Sequence, residues 1–70
     1  MTLPTDASHD RVIRALERAG FVITEGAKHT LAKKSGRRTT IPRHRRIKLT
    51  TLVRLVEQAG LTQEEFLSFF

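Results

Sequence analysis

Three histidines could carry acid–base chemistry in this 70-residue chain: His9, His29 and His44. A histidine side chain titrates near neutral pH, so it can accept a proton and return it within one reaction. His29 has cations before and after it in the sequence, and it is the best acid–base candidate; the alternative is a hydrogen-bonded surface histidine. His44 stands between Arg43 and Arg45, where a phosphate-binding loop is favoured over a second acid–base role. His9 lies at the start of a predicted helix and is expected to be an ordinary surface residue.

The cations of the chain are concentrated in one segment. The formal charge is +6, from 13 Lys and Arg against 7 Asp and Glu, and none of the acids lies between Gly26 and Leu49. The parts of the chain on either side carry a net charge of −3, from four basic and seven acidic residues. Such segregation predicts a polyanionic partner, above all nucleic acid, although a basic surface kept for solubility or for an acidic protein partner is the alternative. The nine cations of this basic segment (residues 28–48) are Lys28, Lys33, Lys34, Arg37, Arg38, Arg43, Arg45, Arg46 and Lys48.

Length and composition exclude several classes of protein. Seventy residues allow one domain, predicted to span residues 1–70 with a short N-terminal arm at 1–7. The chain has no cysteine, which excludes disulfides and cysteine-based zinc sites. Its apolar runs are far shorter than the roughly 20 residues that a spanning helix needs, and the N-terminus does not resemble a secretory signal. We therefore expect a cytoplasmic protein with no membrane contact, and, because carboxylates are few, no bound metal or other cofactor.

Apolar spacing and turn residues predict the elements that would position His29. A helix is expected from Ser8, its N-cap, to Gly20, because apolar residues recur there every three or four positions. Three short strands follow at 21–24, 29–33 and 38–41. The turns between them are too short for parallel crossovers, so the strands should form an antiparallel meander. His29 would then stand at the head of the second strand.

The remainder of the chain is predicted to be a basic loop at 43–48 and two further helices. Thr50 would cap the first of these, which would end at Gly60, and a capping-box pattern begins the last one at Thr62. The four phenylalanines are expected in the core. The fold class is therefore α+β, with the order α-β-β-β-α(-α) and helices on one face of a three-stranded antiparallel sheet. No internal repeat is expected.

Several segments resemble the HicA-type mRNA interferase toxins of type II toxin–antitoxin pairs, over residues 8–70. The segments are LERAGF at 16–21, GAKH at 26–29, GRRTTIP at 36–42 followed by RH, and LVRLVEQAGL at 52–61. The resemblance implies a fold like that of double-stranded-RNA-binding domains. It further implies endoribonuclease activity on mRNA and neutralisation by a HicB-type antitoxin.

The resemblance also implies a catalytic histidine, which members of the family carry in a Gly-Ser-His sequence at the first hairpin. This chain has Gly26-Ala27-Lys28-His29 instead. A turn that is longer by one residue places His29 at the catalytic position, which is the alignment we favour. The other alignment places Lys28 there. Cleavage would use the 2′-hydroxyl of RNA as the nucleophile and His29 as the acid–base group.

The basic segment, together with His44, is expected to bind RNA through phosphates and 2′-hydroxyls. An acidic antitoxin could use the same surface. The alternative function is a non-catalytic double-stranded-RNA-binding module. A helix-turn-helix DNA binder is disfavoured, because the would-be recognition helix at 63–70 carries no Lys or Arg, so no direct DNA binding is expected of this chain alone.

Overall fold

The computed structural model describes residues 3–70 and contains five strands and three helices over that range. In chain order they are β1 (Asp6–Ser8), α1 (His9–Arg18), β2 (Val22–Glu25), β3 (His29–Lys34), β4 (Arg37–Pro42), β5 (Arg46–Lys48), α2 (Leu49–Gln58) and α3 (Gln63–Phe69). Eight large apolar side chains form the fully or almost fully buried centre of the core: Val12, Leu16, Ile41, Ile47, Leu52, Leu55, Val56 and Phe66.

Strands β2, β3 and β4 form an antiparallel meander, as the turn lengths predict. Alternate residues of β3 and β4, among them Thr30 and Ala32, are buried on the inner face of this sheet. Helix α2 covers that face, where the single Thr39 hydroxyl proton is shared between the Leu55 carbonyl (3.3 Å) and Gln58 Oε1 (3.0 Å) in a bifurcated hydrogen bond. The other face of the sheet is open to solvent. The predicted α+β class, with a three-stranded antiparallel sheet as in double-stranded-RNA-binding domains, is confirmed.

A second, two-stranded sheet was missed by the sequence analysis. β1 and β5 pair antiparallel with Ala7 opposite Ile47, and both of these side chains are buried. The predicted arm at 1–7 is therefore wrong for its second part, and the predicted loop at 43–48 is a strand in its second half. Each strand is three residues long and holds a single apolar residue, too little for an alternating pattern to be seen. Met1 and Thr2, which belong to the predicted arm, lie outside the described residues.

The two sheets and helices contain an internal repeat with an offset of 40 residues, contrary to expectation. α2 begins and ends 40 residues after α1, and four residues of 10–21 recur identically at 50–61. The buried positions of α1 recur in α2 with the same offset, and so does the central residue of the β1–β5 pairing. β1-α1 and β5-α2 are therefore equivalent units. Because β1 and β5 run antiparallel, the two units are related by an approximate twofold axis that passes near the pair of Ala7 and Ile47.

Both units end in the same way. The N–H groups of Phe21 and Leu61 donate to the Leu16 and Val56 carbonyls (3.0 and 3.1 Å), which closes a Schellman motif at each helix end. The glycine of each motif, Gly20 or Gly60, has a positive φ (98° and 75°).

The two units begin differently. Ser8 caps α1 as predicted, with its Oγ accepting from the Arg11 N–H at 3.5 Å. The predicted cap at Thr50 is wrong, because α2 begins earlier: its N-cap is Lys48, which makes no side-chain capping bond. The capping box of α3 is confirmed by two hydrogen bonds between Thr62 and Glu65, at 2.9 and 3.1 Å.

Candidate functional site

His29 is the first residue of β3 and follows a two-residue turn, Ala27-Lys28. The Gly26 N–H donates to the His29 carbonyl at 2.9 Å and closes this turn. Because Thr30 is buried on the inner face, the alternation of side chains places His29 on the opposite face of the sheet. His29 is exposed there. The imidazole is therefore available to a ligand that lies on the solvent-facing side of the sheet.

The turn before His29 is held by its neighbours. A Cβ at Gly26 would lie 2.8 Å from the His29 carbonyl oxygen, which is closer than real Cβ contacts, so the backbone needs glycine here. Arg43 Nη2 donates to the Gly26 carbonyl and forms an ion pair with Glu25 Oε2 at 2.8 Å. Glu25 in turn accepts from Thr30 Oγ1 at 3.4 Å. Arg43, which was predicted to bind RNA, thus has two internal partners, Gly26 and Glu25, and its contacts with them help to hold the turn before His29.

Two cations share the solvent-facing side of the sheet with His29. Lys33 lies opposite Arg38 in the β3–β4 register, and both are exposed. Lys33 is four residues after His29 on the same strand, so their Cα atoms are about 13 Å apart. We call this side, with residues 22, 24, 29, 31, 33, 38 and 40, the outer face. It combines one histidine and two cations that have no partner in the described part of the chain with the small polar residues Thr24 and Thr40.

Lys34 and Arg37 point the other way, toward the helices. They are the pair that flanks the Ser35-Gly36 turn, and each meets the end of one of the repeated helices. Lys34 Nζ donates to the Ala19 carbonyl at the C-cap of α1, and it lies 5.8 Å from the ring centre of Phe21. The Arg37 guanidinium lies against Gly60, where a Cβ would meet it at 2.5 Å. A cation is favourable at a helix C-terminus, so both residues stabilise the packing of the β3–β4 hairpin against the helices.

Around the outer face and the hairpin lies a concavity of about 790 Å³. Four of the predicted RNA ligands line it: Lys33, Lys34, Arg37 and Arg38. The structure thus brings these four together. His29 does not line it, and Lys28 stands exposed in the turn beside His29.

A smaller concavity, of about 440 Å³, lies between the start of α1 and the connection from β4 to β5. Its lining includes the remaining histidines, His9 and His44, with Arg43 and Arg45. His9 is only partly exposed, and its Nε2 is buried with no hydrogen-bond partner among residues 3–70. The expectation that His9 is an ordinary surface residue is therefore wrong. The pairing of β1 with β5 brings His9 to His44, and no local sequence signal shows this pairing.

The last two predicted ligands, Arg46 and Lys48, stand apart from the outer face. They are the exposed residues of β5, on either side of the buried Ile47. Arg46 Nε is 4.0 Å from Asp6 Oδ2 across the β1–β5 pair. The basic segment is thus divided among the outer face, the hairpin end and the β1–β5 sheet, and it is not one continuous patch of free cations.

Comparison with known protein families identifies the family of this chain. The family model of the HicA toxin of bacterial toxin–antitoxin systems matches residues 10–61. The chain belongs to the HicA toxin family. This toxin is therefore one half of a toxin–antitoxin pair, with an antitoxin as its partner. The match includes His29 and all the cations of the basic segment, and it ends before α3. A search of curated proteins gave no match.

Two further observations concern the part of the toxin that the structure describes. Within residues 3–70 no three or more His, Asp or Glu side chains are grouped so that they could hold a metal ion. No helix in the same range is long and apolar enough to cross a membrane.

Proposed function

We propose that this HicA-family toxin is an endoribonuclease that cleaves mRNA in the cytoplasm, with His29 as the acid–base group and no metal ion. The observation that carries the proposal is the exposed position of His29 on the outer face, on the strand that also presents Lys33. A strand of RNA on this face would meet an imidazole and the two cations of the Lys33–Arg38 pair. Its antitoxin partner is proposed to be of the HicB type.

In the proposed reaction, His29 removes the proton of a 2′-hydroxyl, whose oxygen attacks the adjacent phosphorus. The bond between phosphorus and the 5′-oxygen breaks, and the protonated imidazole returns a proton to that oxygen. The products are a 2′,3′-cyclic phosphate and a 5′-hydroxyl. Lys28, next to His29 in the turn, is proposed to stabilise the negative charge that develops on the phosphate oxygens.

Binding is proposed to rest on the cations of the basic segment and His44, with Lys33 and Arg38 contributing most because they are neighbours on the outer face and neither has an internal partner within residues 3–70. Contacts of this kind are made to phosphates, so they give affinity without sequence preference and weaken as salt rises. Lys34, Arg37 and Arg43 are proposed to contribute mainly through the shape of the surface. Of the outlying residues, Arg45, Arg46 and Lys48 would reach only a ligand that extends beyond the sheet.

The test is cleavage of total RNA by the purified toxin in EDTA, compared with His29→Ala and Lys28→Ala. The two residues are neighbours in an exposed turn, so each substitution is the structural control for the other. Complete loss of cleavage in His29→Ala with only a partial decrease in Lys28→Ala supports the proposal, because Lys28 assists the reaction without transferring the proton. The opposite pattern assigns the catalytic position to Lys28.

The second candidate function is a non-catalytic double-stranded-RNA-binding module. The observation that favours it is the gathering of cations at the hairpin end, about 13 Å along β3 from His29. Intact RNA after incubation with folded wild-type toxin, together with tight salt-dependent binding, would support this function and contradict the ribonuclease proposal.

A further inference from the structure

Strand β2 is an edge of the three-stranded sheet, and one side of its backbone has no partner. It pairs only with β3, and none of its backbone groups bonds to any other element within residues 3–70. The other edge strand, β4, carries Arg37, Arg38 and Pro42, which are residues that discourage the addition of another strand. β2 has no such protection, since Glu25 is its one charged residue.

The hairpin hydrogen bonds determine which groups of β2 point outward. The bond from the Gly26 N–H to the His29 carbonyl makes these residues a hydrogen-bonded pair. Such pairs alternate along an antiparallel ladder. Val22 and Thr24 therefore bond to β3, whereas the N–H and C=O groups of Ile23 and Glu25 point away from the sheet. Four backbone groups are thus available to an incoming strand.

The surroundings of this edge indicate the chemistry of such a strand. Val22 is 65% exposed, the highest exposure among the large apolar residues of the described range 3–70. It lines the concavity of about 790 Å³ together with Lys33, Lys34, Arg37 and Arg38. The edge therefore offers an apolar contact and unpaired backbone groups beside four positive charges.

We propose that the antitoxin binds this toxin by adding an extended acidic segment as a fourth strand beside β2. The backbone of that segment pairs with Ile23 and Glu25, one apolar side chain covers Val22, and a carboxylate reaches Lys33 on β3, the strand next to β2. The inference rests on the toxin–antitoxin part of the proposed function and not on ribonuclease activity. No cleavage assay enters its test, so the two can fail separately.

The first test is amide hydrogen exchange of the wild-type toxin, alone, with its antitoxin, and with a short RNA duplex. The amides of Ile23 and Glu25 are expected to exchange at least about tenfold more slowly in the antitoxin complex, since each gains a hydrogen bond. RNA is expected to leave them unchanged. Equal exchange rates in the free toxin and the antitoxin complex, or protection by RNA alone, would overturn the proposal.

The second test is antitoxin affinity of Ile23→Pro, with Ile23→Val as the matched control. Proline removes the outward N–H and is tolerated at an edge strand, whereas valine keeps it. We expect at least about a tenfold loss of affinity for proline and little change for valine. Circular dichroism verifies that both variants are folded. If folded Ile23→Pro binds like the wild type, the added strand is refuted.

Discussion

Lys33 and Lys34 are neighbours in the sequence with different roles in the structure, and substitution by methionine separates them. Methionine keeps most of the aliphatic stem and removes the ammonium group. Lys34 Nζ donates to the Ala19 carbonyl at the end of α1, whereas Lys33 has no partner within residues 3–70 and stands on the outer face. A hydrogen bond from a charged donor contributes about 1.5–3 kcal/mol in general. Because Lys34 is near the surface, water and the freed carbonyl reduce this to about 1 kcal/mol.

A loss of about 1 kcal/mol lowers the Tm of a domain of this size by about 4–8 °C. We therefore expect Lys34→Met to melt at a lower temperature by that amount and Lys33→Met to melt like the wild type. The effect on RNA binding should be the reverse: the slope of log affinity against log salt concentration should decrease more for Lys33→Met than for Lys34→Met. If the two variants have equal Tm values, or Lys33→Met is the less stable one, the assignment of Lys34 to the helix end is refuted.

Three further substitutions test the turn, the last helix and the core. Gly26→Ala places a Cβ against the His29 carbonyl, so we expect this variant to cleave RNA more slowly, whereas the control Ala27→Gly in the same turn should cleave at the wild-type rate. Full activity of Gly26→Ala would show that the turn does not need glycine at this position. Thr62→Ala removes the α3 capping box and should lower the free energy of unfolding by about 1 kcal/mol, measured by urea denaturation against Thr62→Ser, and an unchanged midpoint would exclude the cap. Leu16→Ala should lower the free energy of unfolding by about 2–5 kcal/mol, enough to leave most molecules of so small a domain unfolded, whereas Leu16→Met should remain folded. If Leu16→Ala melts cooperatively at the wild-type temperature, burial of Leu16 does not determine the stability of the domain.

The sequence was sufficient for the elements whose signals are local. Helix α1 has an N-cap at Ser8, one apolar face and a glycine at its end, and each signal is found within a few residues of the next. The β3–β4 hairpin has a two-residue turn with positive φ at Ser35 and Gly36 (47° and 81°), as such hairpins require. Local propensity and tertiary structure agree in these parts of the chain.

The features that were missed depend on pairing between distant residues. β1 and β5 are strands only because Ala7 and Ile47 meet across the fold. The position of His9 beside His44 follows from that pairing. Composition likewise could not distinguish the role of Lys33 from that of Lys34, because the direction of each side chain depends on the register of the hairpin. One signal was available in the sequence, since the repeat of 10–21 at 50–61 is visible without a structure.

The pairing of Ala7 with Ile47 has a consequence for the order of folding. The β3–β4 hairpin closes over two residues and each helix forms locally, so these events take microseconds. β1 meets β5 only after the 39 residues between Ala7 and Ile47 have formed a closed loop. The entropic cost of this closure grows with loop length. We expect this closure to be the rate-limiting step. During synthesis, Ile47 leaves the ribosome long after Ala7, so the first helix of a new chain remains without its counterpart until the second one has been made.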